Sequence, residues 1–354
     1  MGAFGIRGSY GSAPDAAALR EIGPGVEWVS LFCYSFDQLD AMLAAIPPGV
    51  RVFVPVNNEW QEVRGDWSGW AQAMDDFAPR FKGRVHIVGC GNELDLWHWQ
   101  PPIGKPQAHL TPEFAANLVN VAAGPLRAAG IKVAMSSVAS GRWPDYLREM
   151  ADGCRDMATF ADLHLYVKRI DNLPANPDWQ EAQDALNVAR DIAGLPVLSS
   201  EAGIKVDDAG GEDAQAEWGR RLVGLSRVYD GGTYCPLILF AYADGVGTDK
   251  EQGGQAFGMI APDGRRKPLW REVQKACGGP SESPVVPPTP PLPEPPTQIT
   301  SGPHGEWIGS GLLRELNRRG WTPLRGEEQA RLACAEGELV WTGQDARALK
   351  WEAA

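Results

Sequence analysis

Short apolar runs rich in β-branched residues alternate, along residues 1–278, with segments whose apolar positions recur at helical spacing. The strand-like runs are Phe4–Ile6, Trp28–Phe32, Val52–Val56, Val85–Val88, Val133–Met135, Ala161–Val167, Pro196–Leu198 and Leu237–Phe240. Between them, Phe36–Ile46 places Leu39, Met42, Leu43 and Ile46 on one stripe, and Asp213–Val228 does the same with Trp218, Leu222 and Leu225. Thr111-Pro112-Glu113 reads as a helix opening, with a capping hydroxyl and a proline in the first turn. Gly83, Gly130 and Gly194 each stand just before a strand, where a helix commonly ends. Strand and helix in eightfold alternation predict an α/β fold, a (β/α)8 TIM barrel. A doubly wound sheet would carry a glycine-rich phosphate turn after its first strand, and Gly8-Ser9-Tyr10-Gly11-Ser12 lacks that pattern.

The rhythm stops at a proline-dense stretch, Ser281–Gln298, which can form neither helix nor central strand and reads as an extended spacer. The expected domains are therefore the barrel at 1–278, a Pro-rich linker at 279–298 and a small C-terminal module at 299–354. In that module Leu312–Arg319 has the pattern of a short amphipathic helix. A module on such a tether is expected either to bind glycan, cell wall or a partner chain and so raise local concentration at the target, or to serve as a structural appendage or oligomerisation element.

Composition narrows the function. With 44% hydrophobic and 22% charged residues the chain can build a sizeable core. A net charge of −12 argues against gripping a nucleic-acid backbone. No apolar run is long enough for a membrane span. The N-terminus lacks the basic and long apolar regions of an export signal, so synthesis in a cytoplasm is expected, with the final site open. None of the six cysteines forms a Cys-x-x-Cys pair, and the five histidines include no His-x-His or His-Glu-x-x-His, so no metal and no cofactor is expected.

In a barrel the chemistry collects at the C-terminal ends of the strands. The fourth run is followed by Gly91-Asn92-Glu93 and the seventh by Ser199-Ser200-Glu201-Ala202-Gly203. Two carboxyls facing each other across the mouth are the minimum apparatus for cleaving a glycosidic bond, one protonated and one ionised. Strict strand alternation would send Asn92 and Glu93 to opposite sides, so the fourth strand must bulge or end there.

With these motifs, and with Phe257–Gly264 preceding Lys267-Pro268-Leu269-Trp270 near the end of the barrel, the sequence resembles the clan A (4/7) retaining glycoside hydrolases over residues 3–277. The resemblance implies Glu93 as general acid/base and Glu201 as nucleophile. It implies that Asn92 holds the sugar 2-hydroxyl and that Tyr166 hydrogen-bonds Glu201, with His164 two residues earlier on the same face. Many members have an arginine closing the second strand, where this chain has Cys33-Tyr34-Ser35; Arg7, closing the first, is the available substitute. Many close the eighth strand with tryptophan, where this chain offers Tyr242.

The 14 tryptophans matter by position. Trp60, Trp67 and Trp70 follow the third strand, Trp97 and Trp99 follow Glu93, and Trp143 follows the fifth; an indole face there could pack on a sugar ring. Asn57 offers hydrogen bonds to sugar hydroxyls, and nearby Glu59 is a rival to Glu93 for the acid role. The expected activity is retaining hydrolysis of a β-linked oligo- or polysaccharide through a glycosyl-enzyme, with the carboxyls about 5–5.5 Å apart. Two alternatives stand beside it: a non-catalytic glycan-binding or structural barrel, and a phage-associated hydrolase of envelope glycans.

Overall fold

Each of the eight apolar runs becomes a strand in the computed structural model, which describes residues 3–8, 13–33, 35–56, 67–99, 110–140, 142–166, 179–229, 235–244 and 256–280, and four strands between 322 and 353. The first unit contains β1 (Ala3–Arg7), β2 (Val26–Ser30), β3 (Arg51–Val56), β4 (Ile87–Cys90) and β5 (Lys132–Ala134). The sixth run is split into β6 (Ala161–Asp162) and β7 (Leu165–Tyr166), and β8 (Val197–Gly203) and β9 (Pro236–Leu239) complete the set. All pair in parallel, in the order β5-β4-β3-β2-β1-β9-β8-β6, with β7 also on β8. Between the ends of that order, parallel bridges join Ala134 to Phe160 and Val138 to Leu163, and Met135 N–H donates to Phe160 O at 2.9 Å. The sheet thus curls into a nearly closed barrel, as the alternation predicts.

The helices pack outside: α1 (Ala16–Ile22), α2 (Phe36–Ala44), α3 (Trp67–Phe81), α4 (Leu94–Trp99), α5 (Pro112–Ala128), α6 (Trp143–Cys154), α7 (Trp179–Ala193), α8 (Val206–Ala209), α9 (Glu212–Val228) and α10 (Pro268–Ala276). Thr111 caps α5 by accepting from Phe114 N–H at 3.1 Å. The expected stripes are buried: Leu39, Met42 and Leu43 in α2, and Trp218, Leu222 and Leu225 in α9. Within the barrel, Phe53 is fully buried and its Cζ would lie 2.7 Å from a Cβ on Gly89, so β4 accepts no side chain at that position. The Lys-Pro motif anchors the loop after β9: the buried Lys267 ammonium donates to Asp244 Oδ1 and Oδ2 at 3.2 and 3.1 Å. Among the described residues no helix is long and apolar enough to cross a membrane.

The chain divides into two compact units, Met1–Ser283 and Pro284–Ala354, at a point inside the proline-dense stretch. The second unit holds an antiparallel meander of β10 (Thr322–Gly326), β11 (Gln329–Cys334), β12 (Gly337–Thr342) and β13 (Leu349–Ala353). Its register aligns Leu332 with Leu339 and Leu339 with Trp351, and Ala330 with Trp341 and Trp341 with Leu349. The amphipathic pattern over Leu312–Arg319 lies outside the described residues.

Candidate active site

Because every barrel strand runs in the same direction, residues at their C-terminal ends meet at one mouth. β4 ends at Cys90, and the backbone then turns sharply: Gly91 has φ 105° and Glu93 φ 51°. Positive φ at a glutamate is uncommon for an L-residue and marks a position held by its surroundings. Glu93 N–H donates to Ser137 Oγ at 3.1 Å, and Asn92 bridges Ser137 in parallel. The strand therefore ends early, as alternation requires, and Glu93 is carried into the mouth while Leu94 begins α4. Ser137 Oγ also lies 3.4 Å from the half-buried Asn92 Oδ1. A Cβ on Gly91 would stand 2.9 Å from both Ser136 Oγ and Leu94 Cδ1, in a conformation already costly for any other residue. Gly91→Ala is expected to cost about 1–3 kcal/mol and to displace Glu93. A fall in the unfolding midpoint together with lost activity checks this; an unchanged midpoint refutes it.

Glu201 lies in β8 and is buried. The pairing of β8 with β9 slips between Ser199 and Ala202. This bulge explains how consecutive residues Ser200 and Glu201, which a regular strand would point apart, both reach His164. Glu201 Oε1 is ion-paired with Arg7, and Glu201 Oε2 accepts from the Tyr166 hydroxyl. The Arg7 guanidinium lies 5.4 Å from the centre of the Phe32 ring and 5.3 Å from that of Phe240, an aromatic cradle for a buried cation. His164, fully buried, places Nδ1 2.9 Å from Glu93 Oε1 and 3.6 Å from Glu201 Oε2. One ligand atom each from Glu93, His164 and Glu201 lie within 4.8 Å of one another. A guanidinium on Glu201 makes this cluster a poor cradle for a divalent cation, since two positive charges would compete for one carboxylate.

The two carboxyls differ in setting. Glu201 is 5% exposed, between a guanidinium and a phenol hydroxyl that both favour its charged form; Glu93 is 13% exposed and faces an imidazole. Behind them, Ser200 Oγ lies 3.0 Å from His164 Nε2 and donates to Asp162 Oδ2 at 2.6 Å. Burial pushes the Asp162 carboxyl above its usual range, against its contacts with His164, the hydrogen bonds from Ser200 and the charge of Arg7. Burial also raises Asp95, which nonetheless accepts from Ala139 and Ser140 N–H and so ties α4 to the loop after β5.

Of the residues expected in the site, the structure brings Arg7, Glu93, His164, Tyr166 and Glu201 into contact and sets Asn92 beside Ser137 at the same mouth. It places Tyr242 elsewhere. That ring packs at 6.3 Å on Trp270 of α10, among the charges of Asp15, Glu21 and Arg266, so it belongs to the helical layer. Phe240, packed on Tyr166 at 5.8 Å and on Phe257 at 5.2 Å, is the aromatic residue of the eighth strand end that faces the pair. Two further tryptophans belong to the core and a third packs against it. Trp70 is buried with its indole N–H on Leu118 O at 2.9 Å, Trp143 is buried, and Trp67 packs at 5.2 Å on Phe114. Asn57, Glu59 and Trp60 lie outside the described residues, as do the side chains of Trp97 and Trp99 in α4. Sequence reasoning missed Asp162, Ser200 and Ser137 as site residues. Asp162, His164 and Tyr166 at alternate positions of an apolar run were the available signal for the first.

Neither a protein-family model nor a curated protein matches the sequence. Solved structures do match the fold. A GH5_18 protein from Streptomyces cattleya, in complex with Manβ1-4GlcNAc, is 16% identical with TM-score 0.58 over 78% of this chain and 80% of that one. The catalytic core of xylanase A is 13% identical with TM-score 0.55 over 77% and 98%. A GH128 endo-β-1,3-glucanase from Amycolatopsis mediterranei, in complex with laminaripentaose, is 16% identical with TM-score 0.50 over 78% and 100%. These likenesses establish that the chain shares the (β/α)8 barrel fold of those proteins, the fold implied by the resemblance to clan A.

Proposed function

We propose that the chain is a retaining glycoside hydrolase acting on a β-linked glycan, with Glu201 as nucleophile and Glu93 as general acid/base. One observation carries the reading: carboxyl oxygens of Glu93 and Glu201 stand within 4.8 Å across the barrel mouth, one group ion-paired and the other set against an imidazole. Retaining enzymes hold their carboxyls about 5–5.5 Å apart, whereas inverting ones leave about 6.5–9.5 Å for a water. The spacing supports double displacement. Solved structures of the same fold, one holding a β-linked disaccharide and one an endo-β-1,3-glucanase, support the substrate class.

In the first step the Glu201 carboxylate attacks the anomeric carbon while Glu93 gives its proton to the leaving oxygen. Arg7 and Tyr166 hold Glu201 ionised and aimed until the ester forms. In the second step Glu93 takes a proton from water, the water oxygen attacks the anomeric carbon, and Glu201 leaves as a carboxylate. In this reading Asn92 meets the sugar 2-hydroxyl, a contact that strengthens in the transition state.

The test is inactivation by a panel of 2-deoxy-2-fluoro β-glycosides followed by peptide mass mapping. A sugar-sized mass increment on Glu201 is expected, and the glycoside that reacts names the sugar. Label on another carboxylate reassigns the nucleophile. No inactivation by any member, with no hydrolysis of β-linked mannans, xylans or glucans, overturns the proposal in favour of a non-catalytic barrel.

A further inference from the structure

A buried chain of hydrogen bonds leads away from Glu93, and the two steps above make no use of its far end. His164 Nδ1 faces Glu93 Oε1 at 2.9 Å, and its Nε2 faces Ser200 Oγ at 3.0 Å. Ser200 gives Asp162 two hydrogen bonds, from Oγ to Oδ2 at 2.6 Å and from the backbone N–H to Oδ1 at 2.9 Å. His164, Ser200 and Asp162 are each at most 1% exposed, so the protons in this chain are set by the protein and not by bulk water.

The direction of the chain follows from what each group can give. Against the burial that raises it, Asp162 takes the Ser200 backbone N–H on Oδ1 and the Ser200 hydroxyl on Oδ2 at 2.6 Å, the length of a hydrogen bond to an ionised carboxylate, and a carboxylate only accepts. With the Ser200 hydroxyl hydrogen committed to Asp162, Ser200 Oγ can only accept from His164, so the ring proton sits on Nε2. In its neutral form the imidazole has one N–H, and Nδ1 then presents a lone pair to Glu93. A lone pair 2.9 Å from a carboxyl oxygen requires a proton between them, and Glu93 is the group that holds it. We infer that Asp162, acting through Ser200 and His164, is a positioning residue that makes Glu93 the proton-bearing member of its pair.

The catalytic meaning of this inference rests on the glycosidase reading; the ring tautomer does not. Before bond cleavage the arrangement favours the acid form that Glu93 needs. After its proton has passed to the leaving oxygen, the Glu93 carboxylate faces a lone pair with no donor from the ring. That raises its affinity for the proton it next takes from water. The protons on Nε2 and on Ser200 stay where they are throughout. The other charged groups facing this contact are Glu201 of β8, Arg7 of β1, Tyr166 of β7 and Asp95 of α4. Arg7 and Tyr166 direct their protons to Glu201, and Asp95 accepts from the backbone of Ala139 and Ser140.

Asp162→Asn reverses the chain. The backbone N–H of Ser200 holds the new amide oxygen, so the amide nitrogen faces Ser200 Oγ and donates to it. The Ser200 hydroxyl then turns to His164 Nε2, and the ring carries its proton on Nδ1, where it stabilises the ionised form of Glu93. Long-range proton–nitrogen NMR of the imidazoles in the full chain at pH ~7 reads this directly. His164→Gln identifies the His164 signals, and His86, whose Nδ1 accepts from Val52 N–H at 3.1 Å, is an internal Nε2–H reference. The wild-type His164 ring is expected to be protonated on Nε2 alone and the Asp162→Asn ring on Nδ1. A wild-type ring protonated at Nδ1, alone or with Nε2, overturns the inference, and this measurement needs no variant at Asp162 to fold.

The kinetic arm uses two aryl β-glycosides of the sugar selected by the inactivator panel. Asp162→Asn is expected to lower kcat/KM by about 10–100-fold on a phenyl glycoside, whose leaving group needs a proton, and by less than about 3-fold on a dinitrophenyl glycoside. The basic limb of the phenyl-glycoside pH profile should move to lower pH. Equal losses on both substrates, with the limb unmoved, indicate a merely structural Asp162 and overturn the inference. A flipped tautomer in a chain that hydrolyses no β-glycoside sinks the glycosidase reading alone; hydrolysis with an unflipped tautomer in the variant sinks this inference alone.

Discussion

Glu201→Ala should lower kcat for glycoside hydrolysis by on the order of 10⁴–10⁶, the scale on which removing a nucleophile from a concerted catalytic unit is felt. Arg7 and Tyr166 both hold the Glu201 carboxylate, and truncating it removes the group proposed to bond the anomeric carbon. The small cavity left behind should admit azide. With a dinitrophenyl β-glycoside, azide is expected to restore turnover and give the α-glycosyl azide, because it attacks from the face Glu201 occupied. Glu93→Ala should lose about 10²–10⁴-fold on poor leaving groups, and azide should then give the β-glycosyl azide, since it attacks the glycosyl ester from the opposite face. The same azide product from both variants would mean that the two roles are wrongly assigned. Rates within a few-fold of wild type in both would remove the pair from catalysis.

Arg7→Met is the second large effect, and it has two separable parts. Arg7 and the Glu201 carboxylate are 2% and 5% exposed, and removing one member of a buried pair leaves the other charge uncompensated. That costs about 3–5 kcal/mol, read as a fall in the unfolding midpoint. The thioether cannot neutralise Glu201, so Glu201 takes up a proton more readily. Since the attacking group must be ionised, the acid limb of the kcat/KM profile is expected to move to higher pH. Arg7→Lys should restore part of the charge but not the flat contact with Phe32 and Phe240, and so should fall between the two. A variant as stable as wild type with an unmoved acid limb would show that the Arg7 contact does not govern Glu201.

The barrel was legible because its signals are local. Each strand is a short apolar run, and each run falls within a few residues of the observed element; Val52–Val56 lies inside β3 and Leu237–Phe240 overlaps β9. The capping Thr111 and the stripe of α9 were readable for the same reason: a helix start and a buried face depend on residues three or four apart. The two glutamates were readable from their positions at strand exits. Even the early end of β4 could be expected, because alternation forbids Asn92 and Glu93 from sharing a face. The meander of the second unit was missed. Its strands are only five or six residues long, and apolar alternation over so few positions does not stand out from loop.

By itself, then, the sequence determined eight strands and their helices, the mouth at which chemistry would gather, and the strand-end positions of Glu93 and Glu201. These follow from chain-local rules of periodicity, capping and turn geometry. Only the tertiary structure decided which groups those acids face. Closing the sheet sets β1 beside β9, which brings Arg7 between Phe32 and Phe240 and onto Glu201. The same closure assigns Tyr242, Trp70 and Trp143 to the helical layer. The slip between β8 and β9 turns Ser200 toward Asp162 and His164. Charge and hydrogen-bond direction depend on distances between residues tens to hundreds of positions apart, and no local rule sets those distances until the barrel closes.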